Sequence, residues 1–320
     1  MRCQTGHYND FPMEREQTAR FQGVLLILSA AALWGALGVV AKVAFAEGLE
    51  PLEVAIWRAS LGWVFFAIHA AARKELRVAR RDIPQVIIFA LVSVSGFFGS
   101  FQLAIQFGGA ARAAVLLYTA PAWVAILAAI FLKERVLPRT IFSIAISIAG
   151  VAMISLSGGE TSLGGLAGGG SGPGADWLGI FFGLIAGFTY ALYYILGRRL
   201  LTRYRATTLF AWVLLLGALG LLPFVSMSVP TLRAAGALLF IGFASTYCAY
   251  TVYSVGLMRL PSSQAAVIAT MEPVVAAVLA YLFWQEYLGV VGYLGAFLVI
   301  GGVLLQAVPE GKQHRTKPES

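Results

Sequence analysis

The sequence predicts an all-α membrane protein, with ten transmembrane helices forming two inverted five-helix repeats around a central cavity. Three observations lead there. Of 320 residues, 59% are hydrophobic and only 12% charged, with a mean hydropathy of +0.81, too apolar for a soluble domain of this length. Apolar runs of about 20 residues, enough to cross a hydrocarbon core of roughly 30 Å as helices, recur along the whole chain. Finally, a set of residues in the first half returns in the second at a fixed distance.

Taken in order, residues 1–20 carry Asp10, Glu14 and Glu16 and no apolar core. They read as a cytoplasmic tail rather than a cleaved signal peptide, which makes the first span an uncleaved anchor. The first repeat, 21–157, holds spans from Phe21 to Ala46, Leu52 to Ala72, Pro84 to Phe107, Ala113 to Leu132 and Arg139 to Leu156. Residues 158–176, Gly158 to Asp176, are rich in Gly and Ser and read as a flexible extracytoplasmic tether. The second repeat, 177–308, holds Trp177 to Leu201, Ala206 to Met227, Thr231 to Met258, Ser262 to Phe283 and Leu288 to Val308. Residues 309–320 form a second cytoplasmic tail.

With the N-terminus in the cytoplasm, 19 of the 23 Lys and Arg residues fall in cytoplasmic segments or at their edges. Cytoplasmic loops retain basic residues, so this asymmetry predicts a plasma (inner) membrane protein with both termini inside. The net charge of +8 is spread over short loops at alternate helix ends, including Arg73 to Arg81, Lys133 to Arg139 and Arg198 to Arg205. It therefore marks topology and not a nucleic-acid surface. Cys3 in the tail and Cys248 deep in span eight have no evident disulfide partner.

The repeat is legible residue by residue. Ala113, Ala114, Val115, Pro121, Glu134, Gly150 and Val151 return as Ala265, Ala266, Val267, Pro273, Glu286, Gly302 and Val303, always 152 positions on. Nearer the start, Gly23, Trp34 and Lys42 match Gly179, Tyr190 and Arg198 in type at an offset of 156. Five spans per unit is odd, so the second copy enters the membrane from the opposite side. Inverted repeats are a recurrent device of carriers, whose site lies between the two copies near the midplane.

These residues resemble the EamA-type repeats of the drug/metabolite transporter superfamily. The likeness rests on Leu33-Trp34-Gly35 in span one, the run Ala113 to Pro121 (AAVLLYTAP), Phe131 to Arg135 (FLKER) and Gly150-Val151. It is repeated in Ala265 to Pro273 (AAVIATMEP), Phe283 to Glu286 (FWQE) and Gly302-Val303. The resemblance covers residues 20–308. It implies ten helices around a central pathway and a secondary carrier of metabolites, an exporter of amino acids, related compounds or drugs, with spans five and ten bracing the periphery.

Glu272 is the most informative single residue. At 1.5 Å per residue it lies roughly 15 Å into span nine, where a carboxylate costs several kcal/mol unless paired, protonated or facing water. It is a candidate for proton coupling or for binding a substrate amine, or else a structural partner of a buried group; its first-half counterpart is Ala120. Arg58, roughly 9 Å inside span two, either binds a substrate carboxylate or pairs with Glu272 or Glu53. Lys42 and Arg198 lie close enough to helix ends for their charges to snorkel.

Gln102 and Gln106 share one face of span three, and Tyr247, Tyr250 and Ser254 one face of span eight. Lipid offers no hydrogen bonds, so these groups turn to a cavity or a neighbouring helix. Trp34, Tyr118 and Tyr190 lie toward mid-span, as pocket wall or plain packing. Gly179, Gly183 and Gly187 form a groove for close helix approach. Pro121 and Pro273 each remove a helical hydrogen bond and are candidate hinges.

Enzyme patterns fail on context. Gly170, Gly172 and Ala175 fit a loose G-x-G-x-x-A, and Ser171 sits between two glycines, but all lie in the tether, without the strand and helix a nucleotide needs or the base a serine needs. The histidines, His7, His69 and His314, form no metal spacing, and there is no Walker A motif. The reading is thus an alternating-access carrier without cofactor, monomer or homodimer, whose partners are a small-molecule substrate and the lipid bilayer. A membrane scaffold or receptor-like bundle is the competing class.

Overall fold

The computed structural model describes residues 10–157 and 173–307, with side chains from residue 17 onward except at 110–111, 157 and 173–176. Among the described residues ten helical stretches are long and apolar enough to cross a membrane: Gln17–Ala46, Pro51–Ala72, Arg80–Gly108, Arg112–Leu132, Pro138–Leu156, Trp177–Leu201, Ala206–Phe224, Leu232–Leu257, Ser262–Trp284 and Val290–Ala307. They are numbered here as spans one to ten. The protein is a multi-pass membrane protein whose spanning elements are helices, as lipid demands.

Two helices overrun their expected starts. The helix of span one begins at Asp10, inside the stretch read as a tail, and that of span six begins at Pro173, inside the stretch read as a tether. A helix that has emerged into water continues until a breaker ends it, and Pro173 fits the first turn because it needs no amide hydrogen there. Cys3, His7, His314, Gly170, Ser171 and Gly172 lie outside the described residues, as does the side chain of Ala175.

The repeat is repeated in the backbone. Spans three and eight each contain a π-helical stretch, Leu91–Gly96 and Ile241–Cys248, which overlap under the 152-residue offset. Spans four and nine both end on a left-handed residue, Lys133 (φ 55°) and Gln285 (φ 54°), again 152 apart. Both are also broken at midpoint: span four into Ala110–Leu117 and Ala120–Leu127, span nine into Ser262–Ala269 and Glu272–Trp284. The sequence treats each as one helix; Pro121 and Pro273, in the first turn of the second piece, are what prevent that.

The two halves of the sequence are not the packing units. Span one packs on spans eight and nine, and span six packs on spans three and four. Each repeat thus lends its first helix to the third and fourth helices of the other. Spans two and seven pack together, as do five and ten. Small residues permit the exchange: a Cβ on Gly179 would come within 2.6 Å of the Gly108 Cα, and one on Gly35 within 2.8 Å of the Glu272 carbonyl oxygen.

The bundle is sealed unevenly. On the face where span one begins and span ten ends, called the terminal face, Ala120–Leu127 packs on Ser262–Ala269, and all eight residues of the latter are buried. On the far face, Ala110–Leu117 and Glu272–Trp284 make no comparable packing among the described residues, and Val274 is the single buried residue of its segment.

Candidate functional site

The site forms where spans four and nine break. Glu272 is the first residue of Glu272–Trp284, following Met271 at the cap. Its carboxylate therefore sits at a helix N-terminus, where unpaired amide hydrogens and the positive dipole end favour negative charge. Ala120 occupies the same position in span four and is buried, so the pseudo-symmetric site holds one carboxylate. Tyr118 and Arg58 are both near enough to that carboxylate to act on it electrostatically.

Arg58 is half-buried. Its Nε donates to Thr246 Oγ1 at 3.2 Å and its Nη2 to the Tyr250 hydroxyl at 3.4 Å. The guanidinium carbon stands 5.3 Å from the Phe98 ring centroid and 5.9 Å from that of Tyr250, within cation–π range. No carboxylate forms an ion pair with it among the described residues. Glu53 is engaged elsewhere: it accepts from Glu50 N and from both Ser228 N and Oγ, each at 2.7 Å. Of the alternatives open to Arg58, an ion pair with Glu53 is not formed; Glu53 has the nearer donors of a helix start and a loop.

A cluster of aromatic rings continues from Tyr250, which contacts the guanidinium. Trp34 lies 5.8 Å from Tyr250 and 5.3 Å from Tyr253, and Tyr193 lies 5.6 Å and 5.5 Å from the same two. Tyr190 stacks on Phe97 at 5.0 Å and meets Tyr194 at 5.5 Å. Three polar atoms of this cluster are buried with no partner: Trp34 Nε1 and the hydroxyls of Tyr193 and Tyr253. Such atoms cost free energy unless something supplies a bond. Beside them lies a narrow cleft with room for about one water molecule, lined by Tyr118, Ala120, Pro121, Tyr190, Tyr194, Ala266, Ala269 and Thr270.

Of the residues expected at the site, the structure brings together Glu272, Arg58, Tyr118, Tyr190, Trp34 and Tyr250. Pro121 and Pro273 stand at the helix breaks. Ser254 lies one turn from Tyr250 and spends its hydroxyl on that residue's carbonyl at 2.6 Å. Tyr247 does not join them: its hydroxyl is 2.7 Å from His69 Nδ1, and its ring packs on Phe65 and Phe66 of span two. The π-helical stretch Ile241–Cys248 shifts the register between Tyr247 and Tyr250, so helical spacing alone misplaces it. Gln102 is half-buried and Gln106 exposed on span three, and neither hydrogen-bonds to Glu272 or Arg58 among the described residues.

Lys42 and Arg198 do not snorkel. Lys42 is bonded to Glu286, and Arg198 Nε lies 3.4 Å from Glu134 Oε1; a carboxylate within reach is a better partner than the interface. The residues the sequence missed are Tyr193, Tyr194, Tyr253 and Thr246. Their signal was present, since Tyr193 and Tyr194 follow Tyr190 by three and four residues and Tyr253 follows Tyr250 by three.

A family model described as the EamA-like transporter family matches residues 21–156 and again 177–307. The chain belongs to that family. EamA-like proteins are transporters and not enzymes, and the two matches fall on the two five-span units. Among curated proteins, the chain is similar to an uncharacterized transporter of Archaeoglobus fulgidus, 28% identical over 80% of this chain and 88% of the relative. It is also similar to an uncharacterized inner membrane transporter of Salmonella typhimurium, 24% identical over 92% of this chain and 98% of the relative. A solved crystal structure 18% identical in sequence superposes with a TM-score of 0.75, covering 88% of this chain and 95% of that one. At that identity the likeness speaks to the EamA-type fold.

Proposed function

We propose that this EamA-like protein is a secondary carrier that exports amino acids or related small compounds by alternating access, with the terminal face in the cytoplasm. The observation that carries the reading is one carboxylate, Glu272 at the break of span nine, and one guanidinium, Arg58 on span two, beside a shared cluster of aromatic rings. A solute with both an amine and a carboxylate complements the two charges, and its apolar part complements the rings. Trp34, Tyr193 and Tyr253 offer the spare polar atoms that fix orientation. Gln102 and Gln106 stand on the route out toward the far face.

In the conformation described, spans four and nine meet on the terminal side and part on the far side. Transport then requires the reverse arrangement, in which spans one, eight and nine move as a unit against three, four and six, while five and ten brace the edge. Pro121 and Pro273 are the flexing points. Glu272 is the proton-coupling group.

The test is uptake and efflux in proteoliposomes over a panel of amino acids and organic cations, with and without a pH gradient. Flux of amine- and carboxylate-bearing solutes is expected, driven by the gradient in the wild type and insensitive to it in Glu272→Gln. Absence of flux for every class sinks the transporter reading for this chain. Gradient-driven flux that survives intact in Glu272→Gln removes Glu272 from coupling.

A further inference from the structure

Two ion pairs take no part in the site above, and they are images of each other under the repeat. Lys42 lies 156 residues before Arg198, and Glu134 lies 152 before Glu286. Lys42–Glu286 joins span one to the end of span nine at the far face, and Arg198–Glu134 joins span six to the end of span four at the terminal face. Each pair therefore lies within one packing unit. Both carboxylates follow a left-handed residue, and both backbone amides return to the carbonyl six residues back, Glu134 N to Ala128 O at 3.1 Å and Glu286 N to Ala280 O at 3.3 Å.

The terminal pair also reaches across to the opposite unit. Glu134 Oε2 accepts from Ser262 N at 2.8 Å and Oε1 from Ser262 Oγ at 2.9 Å, at the first residue of span nine. Arg198 Nη1 donates to the carbonyl of Leu257 at 2.6 Å and to that of Leu260, at the end of span eight. Anion sits on a helix start and cation on a helix end, the arrangement that satisfies orphan backbone groups and matches both dipoles. The far pair makes no such bonds among the described residues. The offset of 152 sends Leu257, Leu260 and Ser262 to Ile105, Gly108 and Ala110. These flank the turn at Gly109 (φ 81°), between spans three and four on the parted face.

We propose that the two ion pairs are alternating latches. Arg198–Glu134 holds the terminal face shut in the present conformation. Lys42–Glu286 takes the carbonyls of Ile105 and Gly108 and the amide of Ala110 when the far face shuts. The inference rests on the alternating-access reading. It adds a bias: Ser262 brings a hydroxyl to the terminal latch, whereas its counterpart Ala110 has none, so the resting protein favours the far-open state.

The experiment places a single cysteine at Ala269, on the cleft, in a full-length chain with Cys3→Ser and Cys248→Ser, and measures its reaction with a membrane-impermeant maleimide from each face. Glu134→Gln and Ser262→Ala are each expected to raise terminal-side labelling about tenfold, as a charge-assisted bond to the Glu134 carboxylate is weakened or lost from the closed state. Glu286→Gln is expected to act with the opposite sign, lowering terminal-side labelling about tenfold. Purely structural pairs move both variants in the same direction or neither, and either result overturns the latches while two-sided labelling of the wild type upholds alternating access. Wild-type labelling from one face alone, with solute supplied on both, overturns both readings. If Glu134→Gln is not recovered as folded protein, unchanged labelling in Ser262→Ala overturns the latch by itself.

Discussion

Gly35→Ala tests the packing that positions the carboxylate. A Cβ at Gly35 would stand 2.8 Å from the Glu272 carbonyl oxygen, 2.9 Å from Val275 Cβ and 3.0 Å from Ala276 N. Two of those three atoms are backbone and cannot rotate aside, so span one must move off span nine by several tenths of an ångström. Overpacking of this kind costs about 1–3 kcal/mol. The helix itself regains roughly 0.5–1 kcal/mol because Ala has less freedom to lose than Gly. Gly301→Ala isolates the second effect, since a Cβ there meets nothing within 4 Å. The two variants should differ by the clash alone, which at about 2–4 °C per kcal/mol amounts to a few degrees in thermal unfolding. Melting in detergent, side by side, measures it, and flux through Gly35→Ala should fall because the displaced turn carries Glu272. A Gly35→Ala protein that melts at or above Gly301→Ala, with flux unchanged, refutes the close approach of spans one and nine.

Arg58→Gln removes the guanidinium and should slow flux of carboxylate-bearing solutes about 10- to 100-fold, as expected for a lost bond to a charged group. Neutral analogues should be spared in the same proteoliposomes, and equal loss for both would assign Arg58 to packing. Glu53→Gln weakens three bonds at 2.7 Å, one within the start of span two and two that join it to the loop before span eight. It should cost about 1–3 kcal/mol, read as a lower unfolding temperature with substrate selectivity intact. Asp82→Asn removes the charge that receives Arg203 Nη1 and the Tyr204 hydroxyl, both at 2.7 Å. A comparable loss of stability is expected, and an unchanged melting curve would count against this clamp between the start of span three and the loop before span seven.

The sequence by itself determined the ten crossings, because burial of an apolar side chain in lipid depends on that side chain and its neighbours along the helix. It determined the repeat for the same reason of locality, and Glu272 stood out since a charge at mid-span is costly in any fold. Partner choice was beyond it. Whether Lys42 snorkels or meets Glu286, 244 residues away, is settled by which helices pack together, and repeats that exchange their first helices look the same in sequence as repeats that do not. Tyr247 and Tyr250 shared a face on paper because helical spacing assumes a uniform helix, and the π-helical stretch in span eight ends that uniformity. Only the tertiary structure decided that Arg58 forms no ion pair among the described residues and that Glu272 begins a helix instead of interrupting one. Those two facts depend on contacts across the bundle, and they turn two isolated charges into one site.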